Sequence, residues 1–206
     1  MKKQLILTVI LLAASLTTMS FRRVPAPGYK IGDEARHFVL LNVDRKWVSP
    51  LDYKDAKGFI IAFTDNHGEY SKMYESRIEA LNQQFASKGY PVIAIGDNDT
   101  DSDPQASFDE MVERAKAHHY GFPYLYDEAN GIAADYGALV APQVFVLNKE
   151  NGKMIVRYIG AIDDNASTPK THYVEDAVNA LLGGKPVPTE TTNATGTKIQ
   201  HGLNGC

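Results

Sequence analysis

The strongest constraint on this chain is the succession of apolar strand, amphipathic helix and apolar strand between residues 58 and 96. Residues 58–64 read GFIIAFT, a continuous apolar run of the kind that forms a strand covered on both faces. Beyond it Tyr74, Ile78, Leu81 and Phe85 recur at spacings of four, three and four, which puts them on one helical face. Asn66 and Glu69 stand three apart ahead of that face, in the pattern of a capping box. Residues 91–96 (PVIAIG) are a second buried strand. Strands separated by so long a crossover cannot be a hairpin, so the unit is a parallel βαβ and is expected to be right-handed.

The rest of the chain extends that unit. Residues 38–42 and 46–49 read as two short strands around a polar turn at Asp44. Asp103 and Pro104 are expected to open a second helix, with Phe108, Met111, Val112 and Ala115 as its stripe. A short extended segment at 124–126 and a short helix at 128–136 follow. Residues 144–147 and 154–159 read as strands joined by the polar turn 148–152, a hairpin. Thr171 is the expected cap of a last helix, with Val174, Ala177, Val178 and Leu181 on one face and Gly183 as its stop. A βαβ unit, a connecting helix, a hairpin and a terminal helix follow in the order of the thioredoxin fold. The fold class expected is α/β, a three-layer α/β/α sandwich around a central mixed sheet.

Residues 1–20 place Lys2 and Lys3 before the apolar run 5–16 and the small, polar stretch Thr17 to Ser20, the pattern of a signal peptide. The run is short for a bilayer span, which takes about 20 residues, and no cysteine follows it to carry a lipoprotein anchor. The expected organisation is a leader at 1–20, a lead-in at 21–31, one domain at 32–185 and a flexible tail at 186–206. Export makes the expected location periplasmic or secreted, without stable membrane insertion once the leader is removed. Losing the leader takes away two of 21 basic residues and none of 25 acidic ones, which leaves a net charge near −6. An acidic chain with no basic run is a poor nucleic-acid binder.

The domain also carries a set of short matches. Gly32-Asp33-Glu34-Ala35 with Phe38, Leu51-Asp52-Tyr53-Lys54, Phe122-Pro123-Tyr124-Leu125-Tyr126-Asp127, Ala141-Pro142 and Ile162-Asp163-Asp164-Asn165 occur in that order. Together they resemble the thioredoxin-like redoxins of the alkyl hydroperoxide reductase/thiol-specific antioxidant family. The likeness is greatest to an exported subgroup with a Thr-Cys-Asn-His-Cys-Pro-Tyr site. The resemblance implies a thiol-disulfide oxidoreductase or antioxidant role and a cis bond between Ala141 and Pro142, facing the helix-start loop, where an extended partner peptide can hydrogen-bond.

The site itself departs from that pattern. This chain reads Thr64-Asp65-Asn66-His67-Gly68-Glu69-Tyr70, so Asp65 and Gly68 stand at the two cysteine positions and Glu69 at the proline. Thr197, in Gly196-Thr197-Lys198-Ile199, stands at a third cysteine position. A carboxylate at a helix start keeps the negative charge of a thiolate, but it cannot attack a disulfide or form a sulfenic acid. The chain has one cysteine, Cys206, which rules out an internal disulfide, a Cys-x-x-Cys pair and a thiolate zinc cage.

The expected function is that of a protein- or peptide-binding module of the cell envelope that has lost thiol catalysis. Thr64, Asn66, His67, Glu69, Ala141 and Pro142 are its binding residues, and no cofactor or resident metal is expected. Two alternatives stand beside it. One is an antioxidant oxidoreductase working through Cys206 or a partner's thiol, with Cys206 also a candidate for covalent dimerisation. The other is metal binding through His67 and nearby carboxylates. The alternating Asp97, Asp99, Asp101 and Asp103 resemble the first half of an EF-hand loop. Ser102 and Phe108 occupy its glycine and final glutamate positions, so a solvated acidic loop is expected there.

Overall fold

The computed structural model describes residues 28–97, 104–128 and 130–199. The expected leader, most of the lead-in, Asp99, Asp101, Asp103 and Cys206 lie outside the described residues. In chain order the elements are β1 (Leu40–Asn42), β2 (Trp47–Val48), β3 (Gly58–Thr64), α1 (Glu69–Phe85), β4 (Val92–Asp97), α2 (Phe108–His118) and β5 (Tyr124–Asp127). They continue as α3 (Gly131–Tyr136), β6 (Val140–Ala141), β7 (Gln143–Glu150), β8 (Lys153–Gly160), α4 (Tyr173–Leu182) and β9 (Thr197–Lys198).

Seven strands form one mixed sheet in the order β2-β1-β5-β4-β3-β7-β8, and β6 pairs with β9 in a separate ribbon. Strand β3 sits near the centre, parallel to β4 from Ile60↔Val92 to Thr64↔Gly96 and antiparallel to β7. Its side chains alternate between two cores, as the pleat requires. Ile60 and Ala62 join Tyr74, Ile78, Leu81 and Phe85 of α1, Met111 and Ala115 of α2, and Val174, Ala177 and Val178 of α4. Phe59, Ile61 and Phe63 face the other way, onto Ala133 and Tyr136 of α3 and onto Ala35, Phe38 and Ile199. Each of these β3 side chains is essentially inaccessible to solvent. Burial of a large apolar side chain contributes about 1.5–3 kcal/mol, so both faces hold β3 in place and with it the loop at its end. This is the three-layer α/β/α arrangement the element order implied.

Three local expectations are corrected. Helix α1 starts at Glu69 itself, with Gly68 as the residue before it and no side-chain cap from that position. The Asn66–Glu69 capping box does not form, because Asn66 instead donates its side-chain N–H to the Gln105 carbonyl at 2.5 Å. Helix α2 begins at Phe108 behind a 3₁₀ turn at Pro104–Ala106, and Ser107 supplies the cap by accepting from the Glu110 N–H at 3.3 Å. Helix α4 begins at Tyr173, so His172 rather than Thr171 holds the cap position, and its side chain makes no cap bond.

The tail is the larger correction. Residues 187–199 pack on the domain. The Ile159 N–H donates to the Glu190 carbonyl, the Thr192 N–H donates to the Ile159 carbonyl, and β9 pairs antiparallel with β6. Val187 and Ile199 are buried in the two cores. A Pro-, Thr- and Asn-rich composition looks like a solvated tail. Here a few apolar anchors and one edge of the fold are enough to order it.

Candidate functional site

The site is built at the point where β3 hands over to α1. Asp65, the first residue past the strand, is only 4% exposed, and its carboxylate turns back into the loop it begins. Its Oδ1 accepts from the backbone N–H of His67 at 3.0 Å and from that of Gly68. Its Oδ2 accepts from the Ser71 hydroxyl at 3.0 Å, and the Ser71 oxygen accepts from the Asp65 N–H at 3.2 Å. The carboxylate thus lies at the N-terminus of α1, where the helix dipole favours negative charge, and it uses the backbone donors of the loop. Glu69, exposed in the first helical turn, adds a second negative charge at the same end.

Gly68 is glycine for a steric reason. A Cβ there would lie 2.5 Å from Asp65 Oδ2 and 2.7 Å from Thr197 Oγ1. These distances also bring Asp65, Gly68 and Thr197 together around one point, although Gly68 and Thr197 lie 129 positions apart in the chain. The three positions singled out in the sequence as replaced cysteines therefore form one cluster, now filled by a carboxylate, an empty glycine position and a hydroxyl.

Opposite this cluster the Ala141–Pro142 peptide bond is cis. Ala141 is fully buried and pairs with Thr197 across the β6–β9 ribbon. Beside Pro142 lies a cleft of about 320 Å³ whose walls include Tyr70 and Tyr74 of α1, Asp163, Tyr173 and Thr192. One network fixes the α1 wall to the loop after β8. Asp163 accepts from the Tyr74 hydroxyl at 2.9 Å and from Arg77 Nη1 at 2.6 Å, and the Arg77 guanidinium also reaches the Ala166 carbonyl. Burial, together with the hydrogen bond to Asp163, pushes the Tyr74 phenol up to about 12. Asp164 points outward, and the backbone N–H groups of Lys170 and Thr171 hold its carboxyl below the usual range.

The other residues singled out in the sequence take smaller parts. Thr64 ends β3 opposite Gly96 and is buried. Asn66 ties the loop to the 3₁₀ turn before α2, and His67 is half-buried with its N–H on Asp65. Among the described residues no three His, Cys, Asp or Glu side chains gather as a metal would need. Sequence reasoning missed Ser71, Tyr70, Tyr74 and Arg77, and gave Asp163 no role. Its stretch Ile162-Asp163-Asp164-Asn165 was read only as a family match, and that was the available signal for the cleft wall.

The AhpC/TSA family profile matches residues 31–159. The chain belongs to the AhpC/TSA family. It is also 27% identical over 129 residues to the thiol-disulfide oxidoreductase ResA of Bacillus thuringiensis subsp. konkukian, a match covering 61% of this chain and 68% of that protein. The crystal structure of an uncharacterized conserved protein from Geobacillus kaustophilus superposes with a TM-score of 0.78 at 30% identity, covering 88% of this chain and 97% of that one. A hypothetical protein from Sinorhizobium meliloti 1021 superposes with a TM-score of 0.77 at 26% identity, over 86% of this chain and 97% of that one. The fold is thioredoxin-like, and the family includes thiol-disulfide oxidoreductases.

Proposed function

We propose that this AhpC/TSA-family protein has given up thiol exchange at its helix-start loop and holds an extended protein segment in the cleft beside Pro142. The observation that carries the first half is the Asp65 carboxylate, buried and hydrogen-bonded to His67, Gly68 and Ser71. The carboxylate takes the donors that would stabilise a thiolate, and it offers no sulfur to form or break an S–S bond. The cis Ala141–Pro142 bond and the adjoining cleft support the second half. The pattern of Lys2, Lys3 and the apolar run behind them supports export to the cell envelope.

Two measurements test this. Insulin reduction with excess dithiothreitol is expected to run at the uncatalysed rate. Turnover above that rate sinks the proposal, and its loss in a Cys206→Ser variant would assign it to that thiol. A phage-displayed dodecapeptide library panned on the protein is expected to yield peptides that shift the amide resonances of Tyr70, Ala161 and Asn165. Enriched peptides that leave those resonances unmoved would remove the cleft from the proposal.

A further inference from the structure

Strand β6 is two residues long and lies beside the cis Ala141–Pro142 bond, and β9 of the same chain occupies its edge. The Ile199 N–H donates to the Leu139 carbonyl at 3.0 Å, and the register continues through Val140↔Lys198 and Ala141↔Thr197. Antiparallel ladders alternate hydrogen-bonded and open pairs, so Ala141 and Thr197 are the next hydrogen-bonded pair. One glycine and two side chains of this segment meet defined surroundings. A Cβ on Gly196 would stand 2.3 Å from the Ala141 oxygen, so only glycine approaches this closely. Thr197 presents its hydroxyl to the Gly68 position, and Ile199, 2% exposed, enters the core cluster that contains Ala141, Phe145 and Tyr136. Lys198 points to solvent. Upstream, Thr192 Oγ1 accepts from the Ala161 N–H at 2.9 Å and lies 2.6 Å from the Tyr158 hydroxyl.

We infer that the β6 edge is a strand-addition site which the chain fills with its own residues 196–199, and that an extended partner segment of the pattern Gly-Thr-x-Ile binds there by displacing them. The pattern is read from the occupant: glycine against the Ala141 carbonyl, a small hydroxyl residue beside Gly68, a free position, then a branched apolar residue for the core pocket. Backbone pairing supplies affinity and the alternate pockets supply selectivity, as in strand addition generally. Tethering gives the internal copy a high effective concentration, so a free segment competes only when the internal one is weakened or outmatched. The inference rests on the partner-binding reading above, but the two fail separately. Library peptides that bind wild-type and locked protein alike would leave that reading standing and overturn this one.

The probe is a synthetic peptide of residues 190–199, titrated into the full chain. Thr197→Pro removes the N–H that pairs with Ala141, and Gly196→Val places a side chain where the Ala141 oxygen stands; each releases the internal strand. Both variants are expected to bind the peptide at least tenfold more tightly than the wild type. The reverse variant joins Val140→Cys to Lys198→Cys in a Cys206→Ser background. An open antiparallel pair has its Cα atoms about 4.5 Å apart, inside the roughly 4.4–6.8 Å that a disulfide spans. Oxidised, this variant is expected to bind no peptide, and reduction restores wild-type behaviour. Equal binding to released and locked proteins overturns the inference, as does no binding to a released variant with a native circular dichroism spectrum. If both releasing variants unfold, hydrogen exchange on the wild type decides. Exchange of the Ile199 amide far faster than the β3 amides supports a strand that opens locally; exchange only with global unfolding overturns it.

Discussion

Ser71 and Asp65 bind each other twice. The Ser71 hydroxyl donates to Asp65 Oδ2 at 3.0 Å, and the same oxygen accepts the Asp65 N–H at 3.2 Å. The pair closes the loop between β3 and the first turn of α1 into a ring. Ser71 has no solvent exposure, so nothing replaces it when it is removed. Ser71→Ala is expected to lower stability by about 1–3 kcal/mol, the usual cost of leaving a buried polar group short of a partner. Urea unfolding followed by circular dichroism checks this, and a change below 0.5 kcal/mol on that scale, roughly the effect of a surface substitution, would count against the ring.

Gly68 and Asp65 are expected to depend on each other. Gly68→Ala alone puts its methyl 2.5 Å from Asp65 Oδ2, so either the carboxylate or the loop must move. Shortening the neighbour with Asp65→Ser frees that space. A double-mutant cycle is therefore expected to show Gly68→Ala costing less in the Asp65→Ser background, with a coupling of about 0.5–3 kcal/mol. Additive effects would mean that the two positions do not share the space.

Asp163 joins two distant parts of the site. Its side chain is fully buried, while Arg77 keeps 24% of its own side chain accessible. Removing one partner of a buried ion pair costs about 3–5 kcal/mol. Because Arg77 is partly hydrated, Asp163→Ala is expected near the lower end. The same variant is expected to raise hydrogen exchange in residues 161–166 more than in β3, because it cuts α1 loose from that loop.

Alkaline pH tests the same network. The folded protein holds the Tyr74 phenol neutral up to about 12, against 10.0 for a free tyrosine, through burial first and the Asp163 carboxylate second. Burial raises Tyr90 to about 12 as well. A group whose folded value is raised contributes stability that is whole below the unfolded value and is lost as pH climbs through the folded one. Loss of stability is therefore expected across pH 10 to about 12, with late tyrosinate absorbance accompanying unfolding. Tyr74→Phe is expected to reduce the steepness of that loss; an unchanged profile would remove Tyr74 from it.

The sheet and its helices were legible because they repeat a local pattern. The apolar run of β3 matched its observed bounds, Gly58–Thr64, and the four α1 residues chosen by spacing are all buried. The start of α1 was misread because Asn, Asp, Ser and Glu all suit capping, and sequence spacing does not say which one turns inward. Asp65 and Gly68 were found because a resemblance marked them. The bond between Arg77 and Asp163 spans 86 residues, and nothing local marks either end. Strand β9 is two polar residues, Thr197 and Lys198; it is a strand only because β6 is there to pair with it.

The position of β9 gives the site an order in time. The chain is synthesised from its N-terminus, so β6 and every strand of the large sheet are made before residues 196–199 exist. Until those residues emerge, β6 presents an unpaired edge, the kind that draws in foreign strands. A chain that lacks residues 196–199 thus keeps every strand of the large sheet and loses the partner of β6, which leaves the edge at Ala141 unpaired. That edge closes only when Thr197 and Lys198 come to lie against Val140 and Ala141.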